Sequence, residues 1–202
     1  MNSVEETYNT IAEDFNKTRY KIWRCVLHFI EALESKTKLL EVGCGNGKNI
    51  LYRQDIDSYG IDISEEQVEI CKRKGLKVEK ANMTFLPFNS SEFDNIICVA
   101  TYHHLDNTND RRRALLEMYR VLKVNGKLLL TVWAMEQEVN SKRKFTSSDE
   151  MVSWTQNGST YYRYYHIYRR GELEEEIREF CSEFKIESVN YELGNWSVVL
   201  RK

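Results

Sequence analysis

Apolar residues recur at helical spacing near the start of the chain. Val4, Tyr8, Ile11, Ala12 and Phe15 share one face over residues 3–15, and Trp23, Val26, Leu27, Ile30 and Leu33 repeat the pattern. The period then shortens. Residues 38–42 read as a buried parallel strand, and a second strand falls at about 57–62. Ser64 to Gln67 fits a capping box, predicting a helix towards Lys74 that Gly75 stops. Residues 76–81 predict a short third strand, and 93–100 a continuous apolar fourth. A helix over 109–122 turns Leu115, Met118 and Leu122 inward, and Gly126 opens a fifth strand over 127–133. The polar stretch 136–160 predicts a loop or lid. Helix 172–184 buries Leu173, Ile177, Phe180, Cys181 and Phe184, and strands 185–192 and 195–201 meet at the Leu193-Gly194 turn.

Strand–helix alternation ending in a hairpin predicts an α/β fold. Seven strands form a mostly parallel sheet with an antiparallel C-terminal hairpin and helices on both faces. One domain covers 1–202, with N-terminal helices over 1–36 and a substrate-side loop or lid over 136–170.

Composition narrows the class. The chain has 202 residues, of which 42% are hydrophobic, enough for one globular core. No apolar run reaches the ~18–20 residues of a membrane helix. The polar, acidic N-terminus shows no secretory signal. The five cysteines, Cys25, Cys44, Cys71, Cys98 and Cys181, contain no Cys-x-x-Cys pair, so no metal site is expected. Reduced thiols fit the cytosol or nucleus. With a net charge of −2, a nucleic-acid partner must be met by a local basic patch.

Candidate chemistry starts at the end of the first strand, in Gly43-Cys44-Gly45-Asn46-Gly47, after which a helical pattern begins. Glycine turns the chain sharply there and lets a ligand approach the backbone. Asp62 follows Gly43 by about twenty positions, as a ribose-binding carboxylate does in doubly wound nucleoside sites. The spacing fits neither the dinucleotide fingerprint nor the phosphate loop. With Glu41 before it, the turn resembles the first motif of class I S-adenosylmethionine-dependent methyltransferases. The predicted cofactor residues are Glu41, Gly43, Cys44, Gly45, Gly47, Asp62, Ile63, Asn82, Met83 and Ala100. Asn82 and Met83 would flank the adenine, with the Asn82 carbonyl accepting from its amino group.

The run Ala100-Thr-Tyr-His-His104 contains neither the Asn/Asp-Pro-Pro-aromatic motif of many nucleic-acid amino methyltransferases nor a proline–cysteine pair. A carboxylate acceptor is ionised at pH 7 and needs a cationic clamp rather than a base. Candidate cations are Arg19 and Lys21 on the hinge after the first helix, His103 and His104, Arg111 to Arg113, and Arg163 and His166 within Tyr161-Tyr-Arg-Tyr-Tyr-His166. Each has a plainer reading: a solvated connector, one packed and one solvated histidine, an exposed first helical turn, and an amphipathic strand edge. Lys142, Arg143, Lys144, Arg169 and Arg170 add further positive charge. Tyrosines interleaved with cations also suit stacking on unpaired bases.

Larger blocks carry a narrower resemblance. Tyr8-Asn-Thr-Ile-Ala-Glu-Asp-Phe15, Thr18-Arg-Tyr-Lys21, Val132-Trp-Ala-Met-Glu-Gln-Glu138, Arg163-Tyr-Tyr-His-Ile-Tyr168 and Asn195-Trp196 resemble the eukaryotic tRNA wobble-uridine carboxymethyl methyltransferases. The resemblance covers almost the whole chain. It implies esterification of 5-carboxymethyluridine in the tRNA anticodon loop, with S-adenosylmethionine as donor. It places Arg19, His103 and Arg163 in catalysis, and Tyr20, Lys21, His104, Trp133, Tyr165 and His166 in substrate binding. It also implies a small zinc-binding activator subunit added as a strand to the 76–81 edge. The alternatives are a small-molecule methyltransferase and a non-catalytic binding module.

Overall fold

The computed structural model describes residues 3–202. Strands β1 (Lys38–Val42), β2 (Asp57–Asp62), β3 (Lys77–Lys80), β4 (Phe93–Val99) and β5 (Leu122–Trp133) run parallel. The C-terminal hairpin of β8 (Lys185–Glu192) and β9 (Asn195–Arg201) adds antiparallel to β5. The sheet order is β3-β2-β1-β4-β5-β9-β8, so the direction of winding reverses between β1 and β4. That reversal opens a crevice beyond the strands' carboxyl ends.

Period-2 alternation buries both faces of the central strands. Leu40, Ile96, Leu128 and Leu130 join a core with helices α4 (Thr108–Val121) and α5 (Glu172–Phe180). Their neighbours Leu39, Ile97 and Leu129 pack on the other face against Val26 and Ile30 of α2 (Arg24–Glu31). Helix α1 (Val4–Thr18) starts with a complete Ser3–Glu6 capping box and lies against α3 (Glu65–Arg73).

Several boundaries differ from expectation. No helix follows the glycine turn. The segment makes only local turns, with Leu51 N–H donating to Gly47 O at 3.1 Å and Tyr52 N–H to Asn49 O at 3.2 Å. The Asn49 side chain is committed inward, donating to Glu41 Oε1 at 2.6 Å. The capping box at Ser64 is half formed. Ser64 Oγ accepts from Gln67 N–H at 3.3 Å, but the Gln67 amide does not reciprocate and Ser64 Oγ donates instead to Asn9 Oδ1. Strand β5 begins at Leu122 directly after α4, with Asn125 at φ +64° beside Gly126.

The largest correction concerns residues 136–160. Their second half is strand, not loop. β6 (Asp149–Gln156) pairs antiparallel with β7 (Ser159–His166) through an Asn157-Gly158 turn in which both residues have positive φ. This hairpin forms its own two-stranded sheet and rests on α1 and on the segment after β4. A lone hairpin is marginal in water, so these contacts hold it.

Candidate active site

The glycine turn forms one end of the crevice. Gly43 has φ +73°, and a side-chain carbon there would stand 2.5 Å from Thr101 Oγ1, so neither conformation nor space admits another residue. Asp62 Oδ2 accepts from Gly45 N–H at 2.8 Å and Oδ1 from Ser64 N–H at 2.9 Å. Burial raises its pKa, opposed by those backbone donors. The carboxylate thus shapes the turn as well as facing the cleft. Glu41 is 1% exposed, and burial pushes its carboxyl up to about 8, with the Asn49 hydrogen bond opposing. Its Oε2 is buried without a partner among the described residues. An orphaned acidic oxygen beside a glycine turn suits a ligand ammonium group.

The cleft holds about 570 Å³, within the range of small-molecule sites. Gly43, Cys44, Gly45, Asp62, Ile63, Asn82, Met83 and Ala100 all line it, as predicted. Gly47 stands behind the turn, its φ +73° required and its face packed on Leu76 and Cys71. The role given to the Asn82 carbonyl needs correction. Both of its lone pairs are occupied, by Thr84 N–H and Thr84 Oγ1–H at 2.9 Å each, so it caps a turn.

The opposite wall is cationic and aromatic. Arg163, on β7, is 5% exposed; its guanidinium lies 5.6 Å from the Tyr8 ring centroid, 5.1 Å from Trp154 and 5.4 Å from Tyr165. Its Nη1 donates to Tyr8 Oη at 3.4 Å, while its Nε is buried and unpartnered. Arg19 sits 4.7 Å over Trp154, and Arg143 4.0 Å over Trp133, which stacks on Tyr165 at 4.1 Å. Arg19, Arg143 and Arg163 all line the cleft, and none has an acidic partner among the described residues. Burial holds Arg143 below its ordinary pKa, and the charges of Arg19 and Arg163 lower it further. Burial likewise lowers Lys48, near Arg19 and Glu41. Such a concentration of uncompensated positive charge suits an anion.

The two histidines occupy a 3₁₀ turn, Tyr102–His104, beyond β4 rather than its end. Their roles separate. His104 Nδ1–H donates to Tyr164 O at 2.8 Å, so its Nε2 accepts from Tyr8 O–H at 2.9 Å. Both ring nitrogens are used, and burial lowers its pKa to about 3. His103 is 0% exposed, and its Nδ1 accepts from Trp133 N–H at 3.1 Å. Its Nε2 is left buried and unpartnered, and burial keeps the ring neutral. His103 is therefore the histidine with an unspent ring nitrogen, while His104 ties three segments together.

Other predicted residues lie elsewhere. His166 does not reach the cleft. Alternation along β7 turns it away from Arg163 and Tyr165, and its ring bridges Asp149 at 3.0 Å and Glu172 at 2.9 Å. Arg111 is buried against Glu176, with Nε donating to Oε2 at 2.8 Å, and Arg112 and Arg113 are exposed on α4. Tyr20 is 69% exposed and Lys21 is exposed; neither lines the cleft. Conversely, Tyr8, Trp154 and Arg143 line it without having been singled out as site residues. Tyr8 had been assigned to an apolar helical face. The Asn157-Gly158 hairpin signal would have placed Trp154 on a strand.

A reversed-order parallel sheet, a glycine turn at the switch point and paired carboxylates define a class I methyltransferase using S-adenosylmethionine. A family model described as a methyltransferase domain matches residues 40–130. The Schizosaccharomyces pombe tRNA (carboxymethyluridine(34)-5-O)-methyltransferase is 32% identical, aligned over 98% of this chain and 96% of that protein. The Arabidopsis thaliana protein of the same name is 38% identical over 77% of this chain and 39% of its own length. This chain belongs to that family. It spans about two fifths of the length of the plant relative and of the Xenopus tropicalis one. Among solved structures, an Aquifex aeolicus methyltransferase superposes with TM-score 0.69 at 21% identity, covering 95% of this chain and 97% of that one. A putative methyltransferase solved in complex with the Haloferax volcanii Trm112 activator gives 0.75 at 16% identity, covering 98% and 97%. Those identities show the shared fold.

Proposed function

We propose that this chain esterifies the carboxylate of 5-carboxymethyluridine at the wobble position of tRNA, giving the methoxycarbonylmethyl nucleoside. The observation that carries this reading is the pair of buried, unpartnered donors, Arg163 Nε and His103 Nε2, on residues lining the cleft opposite the glycine turn. Family membership supports it, because relatives across most of this chain bear that name. S-adenosylmethionine, when bound, supplies a methyl group on a sulfonium. With it bound, an acid-group oxygen would form the new O–C bond as the C–S bond breaks, with S-adenosylhomocysteine as the leaving product. The acid is already ionised at pH 7, so the protein's task is orientation. Arg163 and His103 hold the carboxylate, and Tyr165 and Trp133 wall the base. Glu41 would hold the cofactor's ammonium and Asp62 its ribose, with Asn82 and Met83 beside its adenine.

An activator subunit belongs to the same proposal. β3 is a four-residue edge strand with exposed Lys77, Glu79 and Lys80, and Phe85 just beyond it is 77% exposed. Strand addition there would cover the edge. The likeness to a fold solved with such an activator supports this. We place the protein in the cytosol or nucleus, where its free thiols persist.

The test is methyl transfer from labelled S-adenosylmethionine to tRNA bearing carboxymethyluridine, with tRNA lacking the acid as control. Label on the acid-bearing tRNA alone is expected. A protein that binds cofactor, leaves both tRNAs unlabelled and methylates a small metabolite would refute the reading.

A further inference from the structure

We infer that Arg143 holds a backbone phosphate beside the target nucleoside, gripping the strand at the mouth of the cleft while the acid group is held at its floor. The inference rests on the esterification reading above. Arg143 lies on the segment between β5 and β6, with its guanidinium carbon 4.0 Å over the Trp133 ring. Among the described residues it donates only through its backbone N–H, to Ser141 Oγ at 3.1 Å, which leaves the guanidinium donors unspent. A chain of hydrogen bonds fixes that backbone. Ser141 Oγ donates to Gln137 Oε1 at 3.2 Å, and Gln137 Nε2 donates to Ala134 O at 2.7 Å and Gly194 O at 3.0 Å. The cation is therefore tied to the end of β5 and to the β8–β9 turn, on a segment that itself lacks helix and strand.

Depth separates Arg143 from the groups given to the acid. His103 is 0% exposed and Arg163 5%, whereas Arg143 is half-buried and stands between exposed Lys142 and Lys144. In a nucleoside the base lies between a substituent at C5 and the ribose with its phosphates. With the acid arm on the buried donors, the phosphates come to the mouth. A phosphodiester presents a negative charge and unbridged acceptor oxygens that match the edge of a guanidinium. The positive charges of Arg19 and Arg163 disfavour a further cation at this point, and an anion against Arg143 relieves that. The indole holds the guanidinium by its face, so Trp133 positions it without consuming the donors.

The experiment measures binding of anticodon stem-loop RNAs bearing carboxymethyluridine by the full chain with S-adenosylhomocysteine present. In a matched set, the phosphates flanking the target nucleoside are replaced, one at a time, by a neutral methylphosphonate. At one position the replacement should weaken wild-type binding about tenfold. Arg143→Gln should weaken binding of the unmodified RNA by a similar factor and show no further loss with that methylphosphonate. Its slope of log affinity against log salt should be shallower by about 0.7. Arg163→Gln should weaken binding yet keep the methylphosphonate loss in full, because it acts on the acid group. Unchanged S-adenosylhomocysteine affinity reports that each variant is folded. Losses under about twofold at every flanking phosphate in the wild type overturn the inference without any variant. A methylphosphonate loss of equal size in the wild type and in folded Arg143→Gln overturns it too. Methyl transfer is read separately. A wild-type chain that shows the coupling and methylates none of these RNAs overturns the esterification reading and leaves the phosphate contact standing.

Discussion

Replacing Arg163 by Met should make the protein more stable and less active. The guanidinium is buried, lacks an acidic partner among the described residues, and leaves Nε without a hydrogen bond. Removing a cation from water costs several kcal/mol even after relaxation. Against that stand three contacts with the rings of Tyr8, Trp154 and Tyr165, at 5.6, 5.1 and 5.4 Å, each worth about 0.5–2 kcal/mol. Repulsion from Arg19 and Arg143 adds to the cost. Met has a similar reach, packs well against aromatic rings and needs no counter-charge. The balance favours Arg163→Met by roughly 1–3 kcal/mol. With a urea m-value of about 2 kcal/mol/M, the midpoint should rise by roughly 0.5–1.5 M. Circular dichroism is the suitable probe, since Trp154 fluorescence would report the substitution itself. The same variant should lose about 100-fold or more in kcat/KM for tRNA, the scale of a lost charge-stabilising donor, with cofactor affinity unchanged. A fall in stability of more than about 1 kcal/mol would show that Arg163 is there to hold the hairpin, and the reasoning would fail.

Three further outcomes follow from the same geometry. Asp62→Asn replaces an acceptor of two backbone N–H groups by a side chain with one acceptor oxygen, so S-adenosylmethionine affinity should fall about tenfold or more by calorimetry; an unchanged affinity removes Asp62 from the cofactor site. Gly43→Ala must accept φ +73°, at about 1–2 kcal/mol, plus overlap with Thr101; adding Thr101→Ala should recover only part of the overlap, since Thr101 Cβ itself would stand 2.6 Å from the new carbon, and none of the backbone cost, as denaturation midpoints will show. His166 carries a pH dependence: burial lowers its pKa, but hydrogen bonds to Glu172 and Asp149 outweigh that and leave it raised, with Arg111 opposing. Its anchoring is therefore complete below the ordinary value near 6.5 and lost as pH rises through the raised one, so KM for tRNA should climb on the alkaline side while cofactor affinity stays flat. In His166→Gln that alkaline rise should disappear; a rise of the same size in the variant would assign it to another group.

The cofactor half of the site was legible because its signals are contiguous in sequence. Gly43 to Gly47 close one turn, Asp62 ends the next strand, and apolar runs mark the strands on either side. The substrate half is assembled from segments far apart, and there sequence distance misled in two ways. Arg163 and His166 lie three residues apart and were grouped, yet on a strand odd and even positions face opposite ways, so the hairpin turns one into the cleft and the other towards α5. Arg111 to Arg113 were grouped by composition, but helical geometry points Arg111 at Glu176, buried beside Tyr102 and Tyr168, and leaves its neighbours in water. The hairpin itself was hidden by polarity. β6 buries little, so its alternation is faint, and only Asn157-Gly158 announced the turn. The missing helix after Gly47 had no local warning, because it depends on where the Asn49 side chain is spent.

The way the two halves are joined bears on how the site is ordered. The sheet supplies the cofactor end of the cleft and, from the end of β5, Trp133. The cationic wall comes from the end of α1, the 3₁₀ turn, the segment carrying Arg143 before β6, and the hairpin; α1, the 3₁₀ turn and the hairpin are pinned through the chain Tyr8–His104–Tyr164 and through Trp154 Nε1–H donating to Asp14 at 3.1 Å. A second link crosses to the glycine turn, where Asn46 Nδ2 donates to Arg19 O at 3.1 Å and to Asn16 O at 3.4 Å. The end of α1, and with it one side of the cationic wall, is thereby tied to the glycine turn. Two-stranded hairpins and single helices are weakly stable in isolation, so each of these elements is ordered by the others. A substitution that loosens α1 should raise KM for RNA before it touches the sheet, and cofactor should partly restore it. That ordering follows from the hydrogen bonds that tie the wall to the glycine turn.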